Sequence, residues 1–138
     1  MTTLMHAPDG YDTYVAESVR RVRAVARVGR HWRRDAWDIL MANLSAEGCS
    51  MGEGGPWAAH IYTRLIDLAI EYLGTHPDRE RFAELEWLIR LDLGHLAKKL
   101  VQFSETSFTA NERYMISTAV NRCELQLDYI ALFCPDTT

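Results

Sequence analysis

Residues 20–34 read RRVRAVARVGRHWRR: seven arginines in fifteen positions, and no acid among them. Through and around this stretch, apolar or small residues recur at spacings of three, four or seven, namely Val15, Val19, Val22, Ala26, Gly29, Ala36, Leu40 and Leu44. That pattern is one face of a helix with 3.6 residues per turn. It predicts a long first helix from Tyr11 or Asp12 to Leu44. Gly29 costs about 1 kcal/mol in a helix interior relative to alanine, so a kink, or a break into two helices, is expected there. One rod or two pieces is the question that decides whether the arginines can act together.

Three further helices follow from the same reasoning. The second starts at Pro56 or Trp57 and ends near Leu73, with Gly74 placed for a left-handed C-cap. Its expected buried face is Ile61, Leu65, Leu68, Ala69 and Tyr72. The third follows a Thr75…Asp78 pair that resembles a capping box, and runs to about Phe103. Phe82, Leu85, Leu88, Ile89, Leu91, Leu93, Leu96, Leu100 and Phe103 make it the most apolar helix. It is therefore expected at the bundle centre or at a homo-oligomer interface. The fourth opens on Thr109-Ala110-Asn111-Glu112, a Thr-x-x-Glu box, and ends at Cys134 before Pro135. The segment from Ser45 to Pro56 holds four glycines and reads as the longest loop. Period-two alternation is lacking and no Asn-Gly or Asp-Gly pair joins two alternating runs as a hairpin turn, so strands are not expected. The expectation is an all-α fold: a helical bundle of four main helices, the first long and kinked or broken at Gly29, in a single domain spanning residues 1–138. Short connections favour antiparallel neighbours.

Composition sets outer bounds. The chain has 138 residues, 48% hydrophobic and 25% charged, with a net charge of −4. Those fractions suit a folded domain and exclude whole-chain disorder. Three cysteines, Cys49, Cys123 and Cys134, are an odd number without a Cys-x-x-Cys pair, which points to a reducing compartment. No signal-peptide pattern opens the sequence, and no run approaches the roughly 18 apolar residues of a membrane helix. A cytoplasmic location and no membrane contact are expected.

The charge is unevenly spread. Residues 20–34 carry +7, and the remainder carries −11. Arg20, Arg23, Arg27, Arg30 and Arg34 step by three, four, three and four, which on one continuous helix places them in an arc roughly 80° wide. Guanidinium groups so aligned repel one another, and a planar fork is suited to carboxylate or phosphate. The chain's own acids could face the ridge, with Glu80, Glu84, Glu86, Glu105 and Glu112 as candidates. Otherwise a foreign anion does. Trp32 sits at the ridge edge, and tryptophan beside arginine is typical of interaction hot spots.

Three functions follow. The first is a non-enzymatic regulator, inhibitor or adaptor that grips an acidic surface of a partner protein with Arg20, Arg23, Arg27, Arg30, Arg34 and Trp32. Its assignment to regulation is an argument from class. Self-association, with the basic ridge of one copy on the acidic side of another, is a compatible form. The second is nucleic-acid binding by the same ridge, which the acidic remainder of the chain opposes. The third is a metal-binding bundle centred on Asp92 and His95, but the chain offers one Asp-x-x-His where di-iron bundles use two Glu-x-x-His motifs. A local Asp92–His95 hydrogen bond, or a salt bridge to an arginine of the first helix, is the simpler expectation. No phosphate loop, nucleophile elbow or dinucleotide fingerprint is present. No catalytic residue, cofactor or metal ligand is assigned.

Overall fold

The computed structural model describes residues 11–52, 56–102 and 110–132. Five helices and one hairpin follow in order: α1 (Tyr11–Ala26), β1 (Arg27–Val28), β2 (His31–Trp32), α2 (Ala36–Gly52), α3 (Pro56–Thr75), α4 (Arg79–Gln102) and α5 (Ala110–Ala131). The fold is mostly helical, as expected. The starts and ends expected at Phe103, Thr109 and Cys134 lie outside the described residues.

The long first helix is not there. It ends at Ala26, and the chain turns back as a two-residue-per-strand antiparallel hairpin, with Arg27 opposite Trp32 and Val28 opposite His31. Gly29 has φ 62°, and it is the one described residue in the left-handed region. Positive φ at the first of two loop residues, with Arg30 following, is the Gly-X pattern of a tight hairpin turn. The Arg33 amide donates to the Ala26 carbonyl at 2.9 Å and closes the hairpin at its base. The structure thus has a break at Gly29, one of the two outcomes expected there, and a hairpin where no strand was expected. The apolar spacing runs on across Gly29 because Ala26 and Ala36, on either side of the hairpin, are both fully buried.

The segment from Ser45 is also not a loop as far as it is described, since α2 continues through Gly52. Leu40, Leu44 and Gly48 stand one turn apart, and all three are buried. Gly48 is a packing glycine: a Cβ there would lie 2.8 Å from Asp92 Oδ2 of α4.

At the centre lies α3, not the third predicted helix, which is α4. Ile61, Leu65, Leu68, Ala69 and Tyr72 are buried as expected, and so are Ala58, Ala59, Tyr62, Ile66 and Leu73. Burial on nearly every side matches the packing of α3 against α1, α2 and α5. Its alanines let neighbours approach closely. By contrast, α4 covers one flank: Phe82, Leu85, Ile89 and Leu96 face inward, while Trp87 and Leu91 are exposed.

The corner between α3 and α4 is capped differently from the expectation. Gly74 does not adopt the left-handed conformation, and α3 runs one residue further to Thr75. Pro77 cannot continue the hydrogen-bond ladder. Asp78 alone is the cap, its Oδ1 accepting the amides of Glu80 at 3.0 Å and Arg81 at 3.2 Å. The Thr75 hydroxyl instead donates back to the Tyr72 carbonyl at 3.0 Å. No described helix is long and apolar enough to cross a membrane.

Candidate partner-binding site

The last turns of α1 and the hairpin bring the arginines to one end of the molecule, but not as a single ridge. Only Arg20 and Arg23 of the five expected residues lie on α1; Arg27 begins β1, Arg30 is at the hairpin tip and Arg34 follows β2. The break at Gly29 scatters them. Several are also neutralised within the chain. Arg20 pairs with Glu17 on its own helix. Glu71 of α3 bridges two guanidinium groups, its Oε2 accepting from Arg23 and its Oε1 from Arg27, each at 3.2 Å. Arg33 pairs with Asp35 at 3.1 Å. Of the acids expected across the ridge, Glu80, Glu84, Glu86 and Glu112 take no part in these pairs, and Glu105 lies outside the described residues. Glu84 instead accepts a long bond, 3.4 Å, from Trp37 Nε1. Glu71, the acid that reaches the arginines, precedes Tyr72 on the flank of the buried helix.

These pairs are part-exposed, so each is worth only about 0.2–1 kcal/mol. They also leave charge over. Seven guanidinium groups meet three carboxylates among the described residues, an excess of four positive charges. Arg30 and Arg34 are exposed, and neither forms an ion pair among the described residues. Arg20, Arg23 and Arg27, with Ala24 and Gly29, line an open groove of ≈ 460 Å³. Arg27 is the least exposed of these, and its Nε is buried without a hydrogen-bond partner among the described residues. Arg21 turns elsewhere, to a groove of ≈ 370 Å³ that it shares with Tyr14, Asn43 and Glu47.

Trp32 is not a free hot-spot residue. It is half-buried, with its ring edge-on to Tyr72 at 5.4 Å and the Arg27 guanidinium 4.9 Å above it. Tyr72 is the hub. Trp37 lies 5.8 Å away, His76 stacks on it at 4.9 Å, and Arg81 donates to its hydroxyl at 2.6 Å. This cluster anchors the hairpin to the α3–α4 corner and fixes where Arg27 and Arg30 stand.

Asp92 and His95 do not form the expected pair. Asp92 points between α2 and α3 and accepts the hydroxyl of the fully buried Tyr62 at 2.5 Å. Burial raises the Asp92 carboxyl above its ordinary value of 3.8, while the Tyr62 hydrogen bond and the charge of His95 pull it back. Burial, then the Asp92 bond, pushes Tyr62 upward as well. His95 is exposed, and no hydrogen bond joins it to Asp92 among the described residues. Among the described residues, no three His, Cys, Asp or Glu side chains are grouped to hold a metal ion. Cys123 is buried, its thiol pushed up to about 12 by burial first and then by Asp67. Cys49 is exposed on α2, not in a loop. Cys134 lies outside the described residues.

Comparison with protein-family models, with curated proteins and with solved structures finds no match.

Proposed function

We propose that the arginine-rich end of the molecule docks on an acidic surface of another protein, and that the chain acts as a regulator, inhibitor or adaptor without catalysis of its own. The observation that carries this reading is the residue of positive charge after internal pairing. Among the described residues, four guanidinium charges remain uncompensated on an otherwise acidic chain, and Arg30 and Arg34 stand exposed without a carboxylate. A surface rigidly anchored through Trp32 and Tyr72 presents these groups with little loss of side-chain and backbone freedom on docking. The six residues of the sequence reading take different parts. Arg30 and Arg34 make first contact, Arg20, Arg23 and Arg27 line the adjoining groove, and Trp32 supports the surface from below.

Nucleic acid is the competing occupant. A net charge of −4 opposes approach to a polyanion, whereas the carboxylates of a protein surface are sparser. The test uses fluorescence anisotropy with two labelled probes, a poly-glutamate peptide and a DNA duplex of similar length. The peptide should bind, and Arg30→Glu with Arg34→Glu should abolish its binding while the helical signal is kept. Both side chains are exposed, and neither holds an acid among the described residues. Tighter binding of the duplex, with a steep log-linear loss on added salt, would favour the nucleic-acid reading. Unchanged peptide binding by the double variant would overturn the assignment of this surface.

A further inference from the structure

One face of α4 is covered by no described element. Glu84, Trp87, Leu91, Gly94 and Lys98 are all exposed on it, Trp87 by 65% and Leu91 by 41%. They step by three, four, three and four, so they form one strip along the helix. Phe82, Leu85, Ile89 and Leu96 occupy the opposite side and are buried.

Two features of this strip have no cause among the described residues. The first is a large indole left in water, although the same chain buries Trp37. The second is Gly94. Glycine inside a helix is unfavourable relative to alanine, and the fold does not ask for it here, because a Cβ on Gly94 would meet nothing within 4 Å. Gly48 makes the contrast, since its missing Cβ admits Asp92. At Gly94 the notch opens outward.

We propose that a second copy of this chain docks antiparallel along α4, with Trp87 of each copy seated over Gly94 of the other. The strip is its own complement when reversed about Leu91. Glu84 lies seven residues before Leu91 and Lys98 seven after, while Trp87 lies four before and His95 four after. A two-fold axis through Leu91 therefore sets Leu91 on Leu91, Glu84 on Lys98, and Trp87 into the hole formed by Leu91, Gly94, His95 and Lys98. That is the knob-into-hole geometry of paired helices, and glycine in the hole makes room for a knob larger than leucine. The contact is isologous, each residue meeting its counterpart twice. A parallel pairing would set tryptophan on tryptophan and lysine on lysine. Lys98 has no ion pair among the described residues, and Glu84, whose Oε2 accepts from Trp37, keeps Oε1 for a cross-copy ion pair. One helix pair buries less than the ~1,200 Å² at which standard complexes begin. Exchange between monomer and dimer in the micromolar range is the expected behaviour.

The test is sedimentation velocity of the full chain across a concentration series. A reversible dimer is expected. Trp87→Ala and Gly94→Gln should each weaken it at least about tenfold, with circular dichroism unchanged. Because Gly94→Gln improves helix propensity at an exposed position, its monomer should melt no lower than the parent. Glu84→Lys and Lys98→Glu should each weaken the dimer, and the two together should restore it. A chain that stays monomeric at millimolar concentration overturns the proposal. So does a dimer that survives both Trp87→Ala and Gly94→Gln, or a charge swap that restores nothing. A dimer broken by Arg30→Glu but not by these variants would place the interface on the basic end, which also overturns it.

Discussion

Replacing Gly48 by alanine should destabilise the protein, against the usual direction for a glycine inside a helix. Taken alone, the change gains about 1 kcal/mol of helix propensity. At this position the new Cβ would stand 2.8 Å from Asp92 Oδ2, 3.1 Å from Cγ and 3.2 Å from Oδ1. The whole carboxylate is in the way, and it is held by the Tyr62 hydroxyl at 2.5 Å. Two responses are open. The methyl can be forced in, at a cost of about 1–3 kcal/mol for overpacking. Or the carboxylate can swing aside and leave a buried hydroxyl without an acceptor, at about 1–3 kcal/mol. The cheaper response operates, and after the propensity gain the net loss is about 1 kcal/mol. Urea denaturation followed by circular dichroism measures it, in parent and in Asp92→Ala backgrounds. With the carboxylate removed, Gly48→Ala should stabilise by about 1 kcal/mol, so the coupling between the two positions is about 2 kcal/mol. If Gly48→Ala stabilises the parent, or acts alike in both backgrounds, the close approach of α2 to α4 through Gly48 and Asp92 is wrong.

Four further outcomes are expected. Because burial raises the Asp92 carboxyl, the folded chain keeps a proton that the unfolded chain releases, so this group's contribution to stability falls as pH rises through that window. Asp92→Asn, which keeps an acceptor for Tyr62, should flatten the fall in urea midpoint as pH rises above the ordinary carboxylate range, relative to the parent. Gly29→Ala places a Cβ at φ 62° and should cost about 1 kcal/mol in a thermal melt. In a Cys134→Ser chain, Cys49 should react with a disulfide reagent in the folded state and Cys123 only on unfolding, since its thiol is buried and pushed up to about 12. Glu71→Gln should cost no more than about 1 kcal/mol of stability and should tighten binding of the poly-glutamate probe.

Helix existence was readable wherever periodicity was local. The faces of α3 and the inward side of α4 follow from spacing alone, and Ile61, Leu65, Leu68, Phe82, Leu85 and Ile89 are buried where expected. What failed depends on residues far apart in the chain. The apolar spacing from Val15 to Leu44 is blind to the hairpin, because the break keeps Ala26 and Ala36 inward. The Gly29-Arg30 turn carried a signal, Gly-X, that a search for Asn-Gly and Asp-Gly passes over. Gly48 looked like a loop residue because its reason, Asp92, lies on another helix. Counting apolar residues placed α4 at the centre. The small residues Ala58, Ala59 and Ala69, which allow close packing on several sides, mark α3 instead. For the arginines, composition gave the location of the charge. It could not give Glu71, whose reach to Arg23 and Arg27 exists only once α1 lies across α3.

That glutamate changes what arrival of a ligand would mean. An incoming carboxylate would exchange with Glu71 instead of filling a vacant seat, and Arg23 and Arg27 would hold an anion before, during and after the event. Neither guanidinium need ever be stripped bare. Such a swap has small energetic differences in both directions, which favours quick release over long residence.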